Sequence, residues 1–385
     1  MPFEENLQFL KDWECRIISN LRRAKTFLDP GDTSNIFFSV GTTAKPTDKL
    51  NPYTTPIRKI SNGVICGAVV FTRTQAAIAV MVAEKYTRRI VVDAERKFHV
   101  PDSVDSNLLR HFGVESEIIA LGGEGDNGCG SNSLCRAYSH DVDCYLFKSN
   151  DMTVEGIWQY LALRFKCFNR KKCTIVGGGN IGFKLAIKLV ESGSIVNFVR
   201  RDPDKGIELV SAINTIRHHS AIGEAFYYAE AVAACVDCDV VIGCTDGLPA
   251  ITADAVKHMR DSGVLIDVGK GSISQDGLNL AHERCIDVLR FDVTCALDGM
   301  IATIVANEKA AQRTGRAEFH GSIGLVSGGF LGAEGDIVVD DFRHPCQVFG
   351  ICNGLGDFKQ NLSQKDVEIL QLVKSTYKID DSSCK

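Results

Sequence analysis

The chain has 385 residues, a net charge of −5 at pH 7, and 45% hydrophobic against 24% charged residues. That length predicts two domains with a smaller appendage, and that balance excludes disorder for most of the chain. The mild acidity excludes a generic nucleic-acid binder, because no positive field exists to displace counterions from phosphates.

In chain order, the first thirty residues predict a helix, with Leu7, Leu10, Trp13, Ile17 and Leu21 at helical spacing among charges. Short apolar runs follow, at 36–40, 63–71, 89–92, 117–121 and 144–147, and each predicts a strand. The Ala-rich stretch 75–86 predicts a helix between the second and third of these runs. A helix at 154–168 leads into the basic turn Arg170-Lys171-Lys172, and a domain boundary is placed near 150.

From 173 the alternation is regular. Strands are predicted at 173–176, 194–199, 225–228, 239–244, 263–268 and 288–293, with helices at 181–192, 205–218, 253–261 and 278–283. Six strands with intervening helices predict a doubly wound parallel sheet. The tail predicts a helix at 299–314, a β-hairpin in the glycine-rich stretch 324–356 and a last helix at 367–373. The fold class is therefore α/β: a doubly wound parallel Rossmann sheet over 151–295, an amino-terminal α/β substrate domain over 1–150, and a small β-containing tail over 296–385.

No membrane partner is expected. The apolar run 63–71 stops at Thr72-Arg73-Thr74-Gln75, and a spanning helix needs about 20 apolar residues. Met1-Pro2-Phe3-Glu4-Glu5 is acidic where a secretory signal is basic and then apolar. Fifteen cysteines scattered through core-like segments predict reduced thiols in a cytoplasmic protein. Cys235-Val236-Asp237-Cys238 lacks the two further ligands a structural zinc needs, so no metal is expected.

The strongest chemical signal is Val176-Gly177-Gly178-Gly179-Asn180-Ile181-Gly182. It places Gly177, Gly179 and Gly182 in a G-x-G-x-x-G between a strand and a helix. In a dinucleotide site the first glycine allows the tight turn and the second lets backbone approach a pyrophosphate. The third lets the helix pack on the strand. The amides of Asn180, Ile181 and Gly182 would then face the phosphates. A turn needed only for packing, or an S-adenosylmethionine or sugar-nucleotide site, are the alternatives.

About twenty residues on, where an NAD site carries an acid for the ribose, the chain has Arg200-Arg201-Asp202. An arginine pair suits a 2′-phosphate, so NADP is expected over NAD. The alternative is that Asp202 takes the ribose hydroxyl. Open α/β sheets bind ligands beyond the carboxyl ends of their strands, which adds Thr245 and Asp246 after the fourth strand and Gly269 after the fifth.

Lys270, in that last loop, is a candidate to polarise a carbonyl or imine or to donate a proton; a solvated lysine is the alternative. Lys45 follows the first strand, and Arg73 stands where a strand meets a helix and could clamp an anion. His320 lies beside a turn in the tail and is a candidate general acid. For Lys45 and His320 a solvated side chain is the plainer role.

The segments Val176 to Gly182, Val240-Val241-Ile242-Gly243-Cys244-Thr245 and Val264-Leu265-Ile266-Asp267-Val268-Gly269 resemble the nicotinamide domains of two-domain dehydrogenases such as alanine dehydrogenase, shikimate dehydrogenase and adenosylhomocysteinase. The likeness covers about 120 residues and is of superfamily level. It implies a hydride-transfer enzyme with a small-molecule substrate between domains. The exposed amino-terminal helix and the Gly/Val-rich tail suggest a homodimer. A non-catalytic dinucleotide-binding regulatory protein is the alternative function.

Overall fold

The computed structural model describes residues 3–28, 35–42, 50–95, 105–113 and 142–379. The chain divides into two compact units, Met1–Met300 and Ile301–Lys385.

Helix α1, Phe3–Lys25, opens the first unit. Leu10, Trp13, Ile17, Leu21 and Ala24 form its buried stripe, at the three- and four-residue spacing of one helical face. Glu4 and Glu5 in its first turn, and Arg22, Arg23 and Lys25 in its last, complement the helix dipole. The stripe covers a five-stranded sheet of β1 (Ile36–Thr42), β2 (Tyr53–Ile60), β3 (Gly63–Val70), β4 (Arg89–Asp93) and β5 (Asp143–Phe147). The strand order is β2-β3-β1-β4-β5; β2 is an antiparallel edge and the others run parallel. Helix α2, Arg73–Glu84, is buried along most of its length, and α3, Ser106–Arg110, is a short helix capped by Asp105. Strand β2 is not among the predicted strands, and the strand predicted at 117–121 lies outside the described residues.

Helix α4, Ser149–Phe165, starts five residues before its predicted position, because Ser149, Asn150 and Asp151 take the first turn. It leads into a six-stranded parallel sheet. The strands are β6 (Lys172–Val176), β7 (Ile195–Val199), β8 (Glu224–Tyr228), β9 (Val240–Gly243), β10 (Val264–Asp267) and β11 (Asp287–Arg290). Between them lie α5 (Asn180–Glu191), α6 (Pro203–Ile216), α7 (Ala231–Ala234), α8 (Ala253–Lys257) and α9 (Gln275–Glu283). The strand order β8-β7-β6-β9-β10-β11 is that of the doubly wound dinucleotide fold. Both faces are covered. Leu185, Leu189 and Val196 pack with α4 on one side, and Val176, Val241 and Leu265 with the short helices on the other. Strand β11 ends at Arg290, short of the predicted 293, because Asp292 caps a 3-10 turn at Val293–Ala296.

Helix α10, Leu297–Arg313, carries the chain into the second unit. There β12 (Gly315–His320), β13 (Ile323–Ser327), β14 (Ile337–Val339) and β15 (Val348–Ile351) form a four-stranded sheet in chain order. Within the stretch predicted as a β-hairpin, β14 and β15 pair antiparallel, while β13 joins β14 in parallel and takes β12 as its antiparallel outer partner. Helix α11, Gln364–Tyr377, begins with a reciprocal Ser363–Asp366 capping box and packs Ile369 and Val373 on this sheet.

Asp336, 1% exposed, holds the second unit together. Its carboxylate accepts from Arg316 Nε at 2.9 Å and Nη2 at 3.0 Å, from the Gly324 amide at 2.7 Å and from the Ala333 amide at 2.9 Å. Burial opposes its ionisation, but these donors outweigh burial and hold its pKa below the ordinary aspartate range. A carboxyl so lowered adds stability at neutral pH that is lost as pH falls below about 3.9, through its folded value. Asp336→Asn is expected to destabilise the unit by about 3 kcal/mol at pH 7. It should also flatten the fall in urea midpoint between pH 5 and 2, a range about the carboxylate pKa. An unchanged midpoint at pH 7 would refute this role.

Candidate functional site

The carboxyl ends of β6 and β9 lie side by side where the strand order reverses, which is where open α/β sheets bind ligands. The glycine turn sits on this edge, and its three glycines meet different surroundings. Gly177 has φ +115°, and a Cβ there would stand 2.7 Å from the Cys244 carbonyl. A Cβ at Gly182 would overlap the Gly177 carbonyl oxygen and press on Ile175 at 3.2 Å. A Cβ at Gly179 would meet nothing within 4 Å. Two glycines are thus required by packing, while the middle one faces open space.

Gly179 is also the N-cap of α5, and no side chain caps that helix. The first-turn amides of Asn180, Ile181 and Gly182 therefore stand at an uncapped helix start. Asn180 is exposed, and its side-chain oxygen accepts from Asn150 Nδ2 at 3.3 Å.

Arg200, just past β7, folds back over the turn and donates to the Gly178 carbonyl. Its Nε is buried without a hydrogen-bond partner. Arg201 is exposed beside it. Asp202, the nearest acid, is used locally: its side chain caps α6 by accepting from the Lys205 amide at 3.2 Å, with Pro203 in the first turn.

The other two predicted loops meet this turn. Thr245 hydrogen-bonds the Leu248 carbonyl at 2.6 Å, and Asp246 is exposed. A Cβ at Gly269 would collide with the Thr245 carbonyl, so the loops after β9 and β10 pack backbone to backbone. Asp267 fastens the second loop by accepting from the Gly271 amide at 2.9 Å and the Ser272 amide at 3.2 Å. Lys270 lies between them, exposed, in the left-handed region with φ +55°.

Asp292 belongs to no sequence motif, yet it faces Lys270 electrostatically. Burial works against its ionisation, but Thr294 hydrogen bonds and the charges of Lys270 and Arg290 prevail, so its pKa is lowered. Tyr53 on β2 feels the same carboxylate: burial first, then Asp292, raises its hydroxyl above 10.0. Lys270, after β10, and Tyr53, on β2, thus both lie within the field of Asp292.

Next to them the first unit opens a small cleft of about 100 Å³. Its lining comes from the strand ends of the amino-terminal sheet and from Val293, Thr294 and Leu297. Thr42, Asp93 and Ser149 form one wall. Asp93, 0% exposed, accepts from the Thr42 hydroxyl at 2.8 Å, the Ser149 hydroxyl at 3.0 Å and the Glu95 amide at 3.0 Å. Arg58 and Thr55 of β2 form the opposite end.

The remaining candidates stand elsewhere. Arg73 is buried at the start of α2 and is partnered there, which suits it to holding structure. His320 is exposed at the end of β12 in the second unit. Lys45 lies outside the described residues. Cys235 and Cys238 are buried core thiols, both with pKa raised by burial, and the Thr174 hydroxyl lies 2.8 Å from Cys238 Sγ.

The three glycines differ in what packing demands of them. Gly182→Ala is expected to destabilise the chain by about 2 kcal/mol through overpacking. Gly179→Ala, at φ −83° with open space ahead, should change stability by less than about 1 kcal/mol. Urea denaturation of both variants checks this, and equal losses would refute it.

No protein-family model matches the chain, and no curated protein matches it in sequence. Solved structures do resemble it. One is a dipicolinate synthase chain from Bacillus halodurans, at 14% identity over 71% of this chain and 98% of that one, with a TM-score of 0.34. Another is the ligand-free 5-ketofructose reductase of Gluconobacter sp. strain CHM43, at 16% identity over 71% and 93%, with a TM-score of 0.35. A third is a shikimate dehydrogenase in complex with NADP+, at 13% identity over 67% and 84%, with a TM-score of 0.35.

Proposed function

We propose that the chain is an NADP-dependent oxidoreductase that moves hydride to or from a small carbonyl or imine substrate in the cleft of its first unit. The observation that carries this reading is the open space at Gly179, the one motif glycine that packing does not require. A pyrophosphate needs such an approach to bare backbone, and the uncapped start of α5 supplies its amides.

Arg200 and Arg201 would hold the 2′-phosphate. The buried, unpartnered Arg200 Nε supports an anionic partner, and the use of Asp202 as a cap leaves that acid engaged away from a ribose hydroxyl. When bound, NADPH supplies the hydride from its nicotinamide ring. Lys270 would hold a proton at the substrate oxygen or nitrogen, with the ionised Asp292 beside it. Tyr53, its hydroxyl pKa raised, stays protonated at neutral pH. A cytoplasmic setting accords with the free thiols, since the cysteines among the described residues form no disulfide. No helix among those residues is long and apolar enough to cross a membrane.

Fluorescence titration tests the coenzyme. NADPH should bind more tightly than NADH, and replacing both Arg200 and Arg201 with Ala should weaken NADPH by about tenfold or more while leaving NADH unchanged. Tighter NADH binding by the unaltered chain would overturn the NADP assignment. Lys270→Met should lower turnover about a hundredfold with NADPH affinity intact, as for loss of a proton donor. Full turnover in that variant would remove Lys270 from the chemistry.

A further inference from the structure

Arg58 lines the cleft, and its side chain makes no hydrogen bond, ion pair or ring contact among the described residues. It is half-buried on β2, the edge strand. Facing residues of the same cleft include Ile65, Val69, Val293 and Leu297, all apolar. No protein group holds this guanidinium among the described residues, so an incoming anion would gain a cation without having to displace a partner.

Backbone geometry aims it there. The register of β2 on β3 slips between Thr55 and Arg58, so β2 carries an extra residue at Pro56-Ile57. In an unbroken strand, residues three apart face opposite sides of the sheet. The bulge removes that alternation, and Thr55 and Arg58 both line the cleft.

Arg58 is the only cation, and Asp93 the only acid, among the described lining residues. Asp93 lies on β4, three strand positions from β2. Its oxygens are engaged by Thr42, Ser149 and Glu95. Asp93 is thus held by its own wall and leaves Arg58 without a carboxylate partner among the described residues.

We infer that Arg58 is the anion anchor of the cleft and that the substrate carries a carboxylate, taken by the guanidinium fork through paired N–H···O bonds. Together with the proposed reaction, on which this extension rests, the substrate class becomes an oxo acid or its reduced counterpart. Thr55 and Thr294 add hydroxyls to the same lining, and the apolar wall accepts the carbon chain.

Calorimetric titration tests the anchor with pyruvate, 2-oxoglutarate and benzoylformate, each beside its methyl ester, with and without NADPH. At least one acid should bind the unaltered protein about tenfold or more tightly than its ester. Arg58→Gln should weaken that acid by about tenfold or more and leave the ester unchanged. Arg58→Lys should fall between, because it keeps the charge without the fork. NADPH affinity, measured on the same samples, should be the same in all three proteins. The inference is overturned if no acid binds, if acid and ester bind alike, or if Arg58→Gln leaves the acid unaffected. Failure of the unaltered protein to bind NADPH would instead sink the oxidoreductase reading, and the acid titrations without coenzyme would still decide the role of Arg58.

Discussion

The close passage of two strand ends governs the carboxyl edge of the six-stranded sheet. Gly177 leaves β6 at a positive φ and runs so near Cys244 that no side chain fits between them. The α5 helix then starts directly behind, which requires Gly182. Once these two contacts are made, the space beside the Gly179 Cα stays open. The crevice is a by-product of tight packing on either side of it.

The amino-terminal sheet follows the same plan. Strand β1 has β3 on one side and β4 on the other, so the chain reverses direction of travel across the sheet at β1. Crevices form where such reversals leave strand ends uncovered, and the Thr42–Asp93 hydrogen bond marks this one. Helix α4 joins the two crevices. It starts at Ser149 on the cleft and runs along α5, tied to it by the Lys184–Asp151 and Lys188–Glu155 ion pairs. The Glu155 carboxyl is held below its ordinary range: burial opposes this, and Lys188 and Gln159 outweigh it.

What could be read from sequence had a local physical signature. The parallel strands of the six-stranded sheet are buried on both faces and so appear as unbroken apolar runs, as in Val240–Gly243 and Val264–Asp267. The glycine motif is likewise compact in sequence. Strand β2 escaped notice because an edge strand is half-solvated, and its Thr, Pro, Arg and Lys residues resemble a loop. The parallel pairing of β13 with β14 depends on which distant edges meet, and no short segment encodes that. Arg58 and Asp292 belong to no motif. Their surroundings come from strands and turns far apart in the chain, so only three-dimensional proximity makes them conspicuous. Arg73 shows the converse: its place at a strand-to-helix junction suggested a ligand clamp, but it is 7% exposed and already engaged.

The interrupted outer strand has an effect on assembly as well. Pro56 offers no amide hydrogen, and the adjacent slip in register bends the ladder. A row of regularly spaced donors and acceptors is what a foreign β-segment would have to recruit in order to extend the sheet. Here that row is broken midway, so this border is a poor template for fibrous growth or for two copies joining into one continuous sheet.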